Sequence, residues 1–418
     1  MFETCLELRL AVEFCKPTNL ALGTEMNKDN QIASRSKRVW MTPDSCNLDD
    51  FKKLIDRKTE AADYPFASSI EKNVPIYDSA AISKIAVDHE GRKAVMAEWA
   101  EVFLIGPGIV VLKNALNDMA ALDQMSAHFD AIIAEQHASN TSAGDHFAKP
   151  GANDRIWNVL EKIALRDPEC FARYYSNEMI AMVSEAWLGT GYQITAQVNV
   201  VNPGGEAQSV HRDYHMGFQT AAEISTFPAH AHLLSPVLTL QGAVAHVDMP
   251  IETGPTLYMP FSQSFAPGYF AWRKPEFKEY FNANYTQLPL SKGDMAFFNP
   301  ALFHAAGHNK SKTVRRMGNL LQVSSAYGRA MESMDRARMS ARLYPVLAQL
   351  RLDERSAHHA IAACAEGYAF PTNLDRDPPI GGLAPETQAA LMRRALKESW
   401  PSAKFETALA EQTKRHLT

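Results

Sequence analysis

The sequence predicts a β core of the barrel or jelly-roll kind with helices flanking it on both sides. Two observations carry this. From Tyr192 to about residue 326 the chain reads as short strands separated by turn residues. Before and after that stretch, apolar residues recur at helical spacing.

The clearest strand is the first. Gln193, Thr195, Gln197 and Asn199 alternate with Ile194, Ala196, Val198 and Val200, giving one polar and one apolar face. Residues 237–247, 256–259, 295–298 and 317–324 are further strand candidates. Pro203-Gly204-Gly205, Glu252-Thr253-Gly254-Pro255 and Lys292-Gly293-Asp294 are the turns between them. Short strands in succession favour a closed or two-layer β architecture over a doubly wound sheet.

The flanks follow in order. Residues 1–45 show no sustained period and are expected to be mobile, the polar stretch 27–38 above all. Residues 49–58 fit a short amphipathic helix, and 82–103 carry helical spacing. Residues 106–116 read as turn, buried strand and turn. A helix is expected over 117–137 with Asn117 as its N-cap. Residues 138–155 are rich in Gly, Asn, Ser and Asp and break every period. They form either a lid over a site or a plain surface excursion, with equal weight. Beyond Tyr327, helical spacing returns over 330–365 and 385–400, with Pro385 in the first turn of the last helix. The expected organisation is a segment 1–45, a domain 46–326 whose strand core spans about 190–326, and a helical extension 327–418 packed on it.

Composition excludes several classes of function. With 46% hydrophobic and 21% charged residues the chain reads as an ordinary globular protein. A net charge of −5 leaves no basic footprint for nucleic acid and no polybasic patch for a membrane surface. No apolar run approaches the roughly 20 residues of a membrane helix, and Glu3, Glu7 and Glu13 interrupt any signal-like segment at the N-terminus. Five scattered cysteines without a CxxC pair argue against a disulfide framework and for a reducing, cytoplasmic compartment. The expected partner is a small-molecule substrate, with the C-terminal helices as a homo-oligomer contact.

The chemistry-bearing residues lie in the strand region. His211-Arg212-Asp213 places an imidazole and a carboxylate two apart, on one side of a strand, where both can grip one ion. A second imidazole from a distant strand completes the facial triad of a non-haem iron(II) site. His304, near the end of the strand in Gly293 to Asn309, is the candidate. Arg315 follows at 315 − 304 = 11 residues and opens the next strand. Its guanidinium suits the distal carboxylate of 2-oxoglutarate. A lone HxD is weak, and His246-Val247-Asp248 is a second one that spacing alone does not reject. The polar-faced strand, the turn, the HAAGHN segment and the Arg315-Arg316 pair favour the first.

These segments resemble the phytanoyl-CoA dioxygenase family of 2-oxoglutarate oxygenases. The resemblance rests on His211-Arg212-Asp213, Glu252-Thr253-Gly254-Pro255, Gly293-Asp294 through Phe298, His304-Ala305-Ala306-Gly307-His308-Asn309, and Arg315. It covers roughly residues 106–326 and is suggestive again at 380–400. It selects His304 over His308 and His211 over His246. It implies a double-stranded β-helix (jelly-roll, cupin-like), iron(II) on His211, Asp213 and His304, and 2-oxoglutarate and O₂ as cosubstrates. Pro260-Phe261-Ser262-Gln263 departs from the family's PGSH-like turn. Ala306 departs from the small hydroxyl residue usual two past the distal histidine, for which Asn199, Gln197 or Thr256 can compensate in holding the cosubstrate. Asp213 is present, so the resemblance implies hydroxylation of a small metabolite and not halogenation. Desaturation or cyclisation would use the same residues. The alternative from another class is a non-oxidative cupin-like metal- or ligand-binding protein.

Other residues carry two readings each. His215 lines the substrate pocket or is hydrogen-bonded near its rim. Tyr214 and Trp157 are core or pocket residues, more often core. Arg155 meets an anionic substrate or is solvated. His230 and His232 read as surface residues, and Arg316 as a neighbour of Arg315 on the opposite strand face.

Overall fold

The computed structural model describes residues 28–139 and 152–417. Its strands, in chain order, are β1 (Ser69–Glu71), β2 (Val74–Asp78), β3 (Ile109–Lys113), β4 (Asn153–Ile156), β5 (Gln193–Val201) and β6 (Thr239–Ala245). Then come β7 (Leu257–Met259), β8 (Thr286–Gln287), β9 (Met295–Phe298), β10 (Phe303–Ala305) and β11 (Arg316–Ser324). Eight of them form one sheet in the order β1-β2-β3-β9-β6-β11-β5-β4, and β10-β7-β8 form a small second sheet. In the large sheet β2 and β3 run parallel and the other pairs are antiparallel. The result is a large mixed sheet with flanking helices.

Side-chain parity sorts the two faces of the large sheet. Val110, Leu112, Ile194, Ala196, Val198, Val200, Phe297 and Leu321 pack with the helices in the main apolar cluster, beside Trp99, Phe129 and Tyr174. Their strand neighbours Ile109, Val111, Ala296 and Phe298 face the other way, onto Tyr258 of the small sheet and Leu302. Strand β3 is apolar on both faces because both faces are covered. A third cluster centres on Phe51 of the helix Leu48–Ile55, whose ring lies 5.1 Å from Phe303 and from Phe265.

Helix boundaries are set by caps that apolar spacing does not reveal. The expected 82–103 helix is two, Ser79–Ile85 and His89–Leu104, because Asp88 caps the second by accepting from Gly91 N. Asp118, not Asn117, caps the helix Met119–Ala138. The polar stretch Lys28–Val39 is helical. Pro385 lies ahead of Thr387, which caps Gln388–Lys397, and a further helix, Ser402–His416, follows it. Its Phe405 stacks on Tyr344 with ring centroids 4.2 Å apart, tying the C-terminal helices together. Of the expected loop over 138–155, residues 140–151 lie outside the described residues, and Asn153–Ile156 is a strand paired with β5. Among the described residues no helix is long and apolar enough to cross a membrane.

Candidate metal centre

His304 sits on β10, and His211 meets it as an isolated antiparallel bridge. The pairing is reciprocal: His211 N donates to His304 O at 3.0 Å, and His304 N to His211 O at 3.2 Å. Asp213 N then donates to Pro300 O at 3.1 Å, which keeps the 211–213 segment extended beside the turn before β10. His211 and Asp213 therefore face one side together. One ligand atom from each of His211, Asp213 and His304 lies within 4.8 Å of the others.

Hydrogen bonds to backbone carbonyls fix the orientation of the two imidazoles. His211 Nδ1 bonds Ser209 O at 2.9 Å and His304 Nδ1 bonds Leu302 O at 2.8 Å. A carbonyl only accepts, so each Nδ1 carries a proton, and Nε2 is the atom whose lone pair a metal ion would take when it displaces any proton there. Those two Nε2 atoms lie 3.5 and 3.4 Å from the Asp213 oxygens. Burial pushes the Asp213 carboxyl up, but the two histidines and the Gln241 amide outweigh it and hold it well below the usual carboxylate range. Burial also lowers His211 below the ordinary imidazole value, against the pull of Asp213. Two lone pairs and an anion converging on one point fit a divalent cation, and the nitrogen–oxygen donor set suits iron(II).

Arg212, between the two ligands, points to the opposite side and is buried without a carboxylate partner among the described residues. Its Nη2 donates to Phe265 O at 3.0 Å and also to Ser262 O. Its guanidinium lies 5.2 Å from the ring centroids of both Tyr269 and Phe303. The carbonyls and aromatic faces replace a counter-ion. This strut joins the segment bearing His211 and Asp213 to the Ser262–Phe265 turn and to the residue before His304. A Cβ on Gly268 would fall 1.9 Å from Arg212 Cζ, so only glycine fits there.

The cluster opens into a cavity of about 490 Å³. Gln197, Asn199, Thr256, Arg155 and Trp157 line it, whereas Tyr214 and His215 do not. Both of the latter have positive φ, 65° and 41°, and this turn carries them out of line with Asp213. The Tyr214 ring is buried, and His215 Nδ1 bonds Ser235 Oγ at 2.8 Å. Arg155 Nη1 donates to Gln197 Oε1 at 2.9 Å, and its guanidinium lies 5.0 Å from the Trp157 ring centroid.

Arg315 requires a correction. Its side chain is partly exposed and pairs with Asp130 at 2.5 Å, outside the cavity. Arg316 lines the cavity instead, only 7% exposed, with Nη1 donating to Thr253 O at 3.1 Å and Gly307 O at 3.3 Å. Burial lowers its guanidinium to about 10, so it stays cationic at neutral pH. The cause is strand parity. In β11, Arg316, Gly318, Leu320 and Gln322 line the cavity, while Met317 and Val323 belong to the helix-side core. The Glu252-Thr253-Gly254-Pro255 turn packs on the HAAGHN segment, where a Cβ on Gly254 would meet Gly307 C at 2.5 Å.

The second HxD does not converge on a site. His246 is buried between Ser126 Oγ at 2.8 Å and Tyr174 OH at 3.0 Å, and Asp248 accepts from Lys292 N. His232, expected at the surface, is 2% exposed in the helix Ala229–Val237. His128, Asp167 and Cys170 also gather, but Asp167 is the N-cap of Pro168–Tyr175 and its oxygens already accept from Cys170 N, His128 and Gln124. Sequence reading missed Gln241, whose Nε2 donates to Asp213 Oδ2 at 2.5 Å, and Gln322, its cross-strand partner. Their polar character inside an apolar strand was the available signal.

A search of curated proteins found no match. Among solved structures, the chain is similar to the non-heme alpha-ketoglutarate-dependent epimerase SnoN from nogalamycin biosynthesis, at 17% identity and a TM-score of 0.39 over 56% of this chain and 82% of that one. It is also similar to AviO1 from Streptomyces viridochromogenes Tue57, at 16% identity and a TM-score of 0.41 over 57% of this chain and 97% of that one. The family model for phytanoyl-CoA dioxygenase matches residues 106–317, just over half the chain. The chain belongs to the phytanoyl-CoA dioxygenase family and uses iron and 2-oxoglutarate.

Proposed function

We propose that this chain is an iron(II)- and 2-oxoglutarate-dependent dioxygenase that hydroxylates a small-molecule metabolite. We propose also that its two sheets form a double-stranded β-helix. The observation that carries the functional reading is the convergence of His211 Nε2, His304 Nε2 and the ionised Asp213 carboxylate on one point of a cavity that Arg316 also lines.

His211, Asp213 and His304 would hold iron(II), which would supply the O₂ activation that puts one oxygen atom into a substrate C–H bond and the other into succinate as CO₂ leaves 2-oxoglutarate. The chain's residues do the rest. Ser209 O and Leu302 O orient the two imidazoles by holding their Nδ1 protons. Gln241 steadies the Asp213 carboxylate through Oδ2. Arg316 receives the distal carboxylate of 2-oxoglutarate as a planar fork, in place of Arg315. Thr253 O and Gly307 O, the second only three residues past His304, hold that guanidinium beside the ligand strand. Asn199, Gln197 and Thr256, which line the cavity, contact the cosubstrate in this reading, and Arg155 and Trp157 the substrate. A non-oxidative ligand-binding protein has no use for a buried cationic fork beside a metal site.

The test is succinate release from 2-oxoglutarate by the purified chain, with and without iron(II) and O₂. Turnover that needs both supports the reading. Binding of 2-oxoglutarate without any succinate, across a metabolite screen, would replace it with the ligand-binding reading.

A further inference from the structure

The cavity holds a mismatch that neither iron nor 2-oxoglutarate removes. Gln241 is 7% exposed and its Nε2 donates to Asp213, which fixes the orientation of the carboxamide because an ionised carboxylate only accepts. Its Oε1 is buried and has no hydrogen-bond partner among the described residues. Asn199 Oδ1, on the same sheet face, is likewise buried without a partner. A buried acceptor left without a donor is costly, so ligand groups are the natural complement. A metal ion has no proton to give, and 2-oxoglutarate at neutral pH offers only acceptors. Water serves these acceptors while the cavity is empty, and a substrate that displaces it must bring donors of its own.

The remaining lining narrows what that ligand is. Gln322 lies directly across the ladder from Gln241 and faces the same cavity, as does Gln197 one strand further on. Carboxamides both give and accept, which matches hydroxyl groups, themselves donors and acceptors. Asp213 is the one carboxylate among the described lining residues, and the metal claims it, so a cationic substrate has no counter-charge there. Of the lining guanidiniums, Arg316 is assigned to 2-oxoglutarate, Arg212 is turned onto backbone carbonyls, and Arg155 is engaged with Gln197 Oε1 and the Trp157 ring. Trp157, Trp272 and Phe218 supply flat apolar walls. From this combination we infer that the substrate is a neutral, polyhydroxylated small molecule of the glycoside or polyol kind, read by Gln241 and Gln322 beside the metal ligand Asp213. This rests on the function proposed above and names its substrate class.

The experiment uses the full chain loaded with iron(II) and 2-oxoglutarate in the absence of O₂. Calorimetry measures binding of three probes of similar size: methyl α-D-glucopyranoside (neutral, hydroxylated), cyclohexanecarboxylate (anionic) and cyclohexylamine (cationic). The expected result is that the glycoside binds roughly tenfold more tightly than either charged probe, and that Gln241→Leu and Gln322→Leu each weaken it by roughly tenfold. Gln322→Leu keeps the test valid should Gln241→Leu disturb Asp213. Preference for a charged probe, equal glycoside binding by the variants, or no glycoside binding to the unaltered chain overturns the inference. Titration of 2-oxoglutarate in the same samples separates the two readings. Its failure to bind overturns the proposed function, whereas its binding without glycoside preference overturns only the substrate class.

Discussion

His211 and His304 exchange both of their backbone hydrogen bonds, at 3.0 and 3.2 Å, although they belong to segments far apart in the chain. This narrow pair of bonds brings the two imidazoles to a centroid separation of 4.4 Å with Asp213 between their Nε2 atoms. The expected consequence is that His211→Ala, Asp213→Ala and His304→Ala each abolish stoichiometric iron(II) binding. The backbone bridge survives truncation, so each variant stays folded. Calorimetric titration with iron(II), alongside circular dichroism, checks this. A variant that still binds one equivalent with near-normal affinity removes its residue from the ligand set.

Gly268 is predicted to be a stability position although it touches no ligand. A Cβ there collides with a guanidinium held on the other side by the carbonyls of Ser262 and Phe265, so neither partner can yield cheaply. Gly268→Ala is expected to cost roughly 1–3 kcal/mol, the usual range for overpacking a filled interior. Urea unfolding reads this directly, and an unchanged midpoint and slope would contradict the view of Arg212 as an immobile strut.

His246 carries a pH prediction. Burial lowers it from 6.5 to about 3, with Lys292 adding to the shift and Asp123 opposing it. The unfolded chain therefore takes up this proton first as pH falls. The stability associated with neutral His246 is complete above about pH 6.5 and is lost between there and about pH 3, at up to about 1.4 kcal/mol per pH unit. Comparing unfolding free energies of the unaltered chain and His246→Asn across pH 7 to 5 should show the unaltered chain falling more steeply. Parallel curves would mean that His246 is already protonated or solvated.

Much of this was legible in the residues themselves. The strict alternation from Gln193 to Val200 gave β5 and its cavity-facing side, and the family resemblance of the HxD and HAAGHN segments, which spacing alone did not settle, picked out the three residues that converge. Caps were harder to read, because Asp88 and Asp118 act through single side-chain bonds that leave apolar periodicity unbroken. The Arg315 error was one of parity. Met317 and Val323 are apolar, helix-facing members of β11, which assigns Arg316, Gly318, Leu320 and Gln322 to the cavity. The turn after Asp213 hid itself more completely, since Tyr214 is not a residue type that favours positive φ and histidine adopts it only in a minority of cases, and the two leave the ligand strand together.

The most direct test of the account is the titration of 2-oxoglutarate into the iron(II)-loaded chain without O₂, for the unaltered protein, Arg316→Ala, Arg316→Lys and Arg315→Ala. Removing a buried guanidinium from its carboxylate is expected to cost roughly 3–5 kcal/mol, on the order of a hundredfold to a few thousandfold in Kd. Arg316→Lys should recover only part of that loss, since a point charge cannot reproduce the planar fork. Arg315→Ala loses only a partly exposed pair with Asp130 and should stay close to the unaltered protein. The opposite order, with Arg315→Ala crippled and Arg316→Ala near normal, would contradict the account.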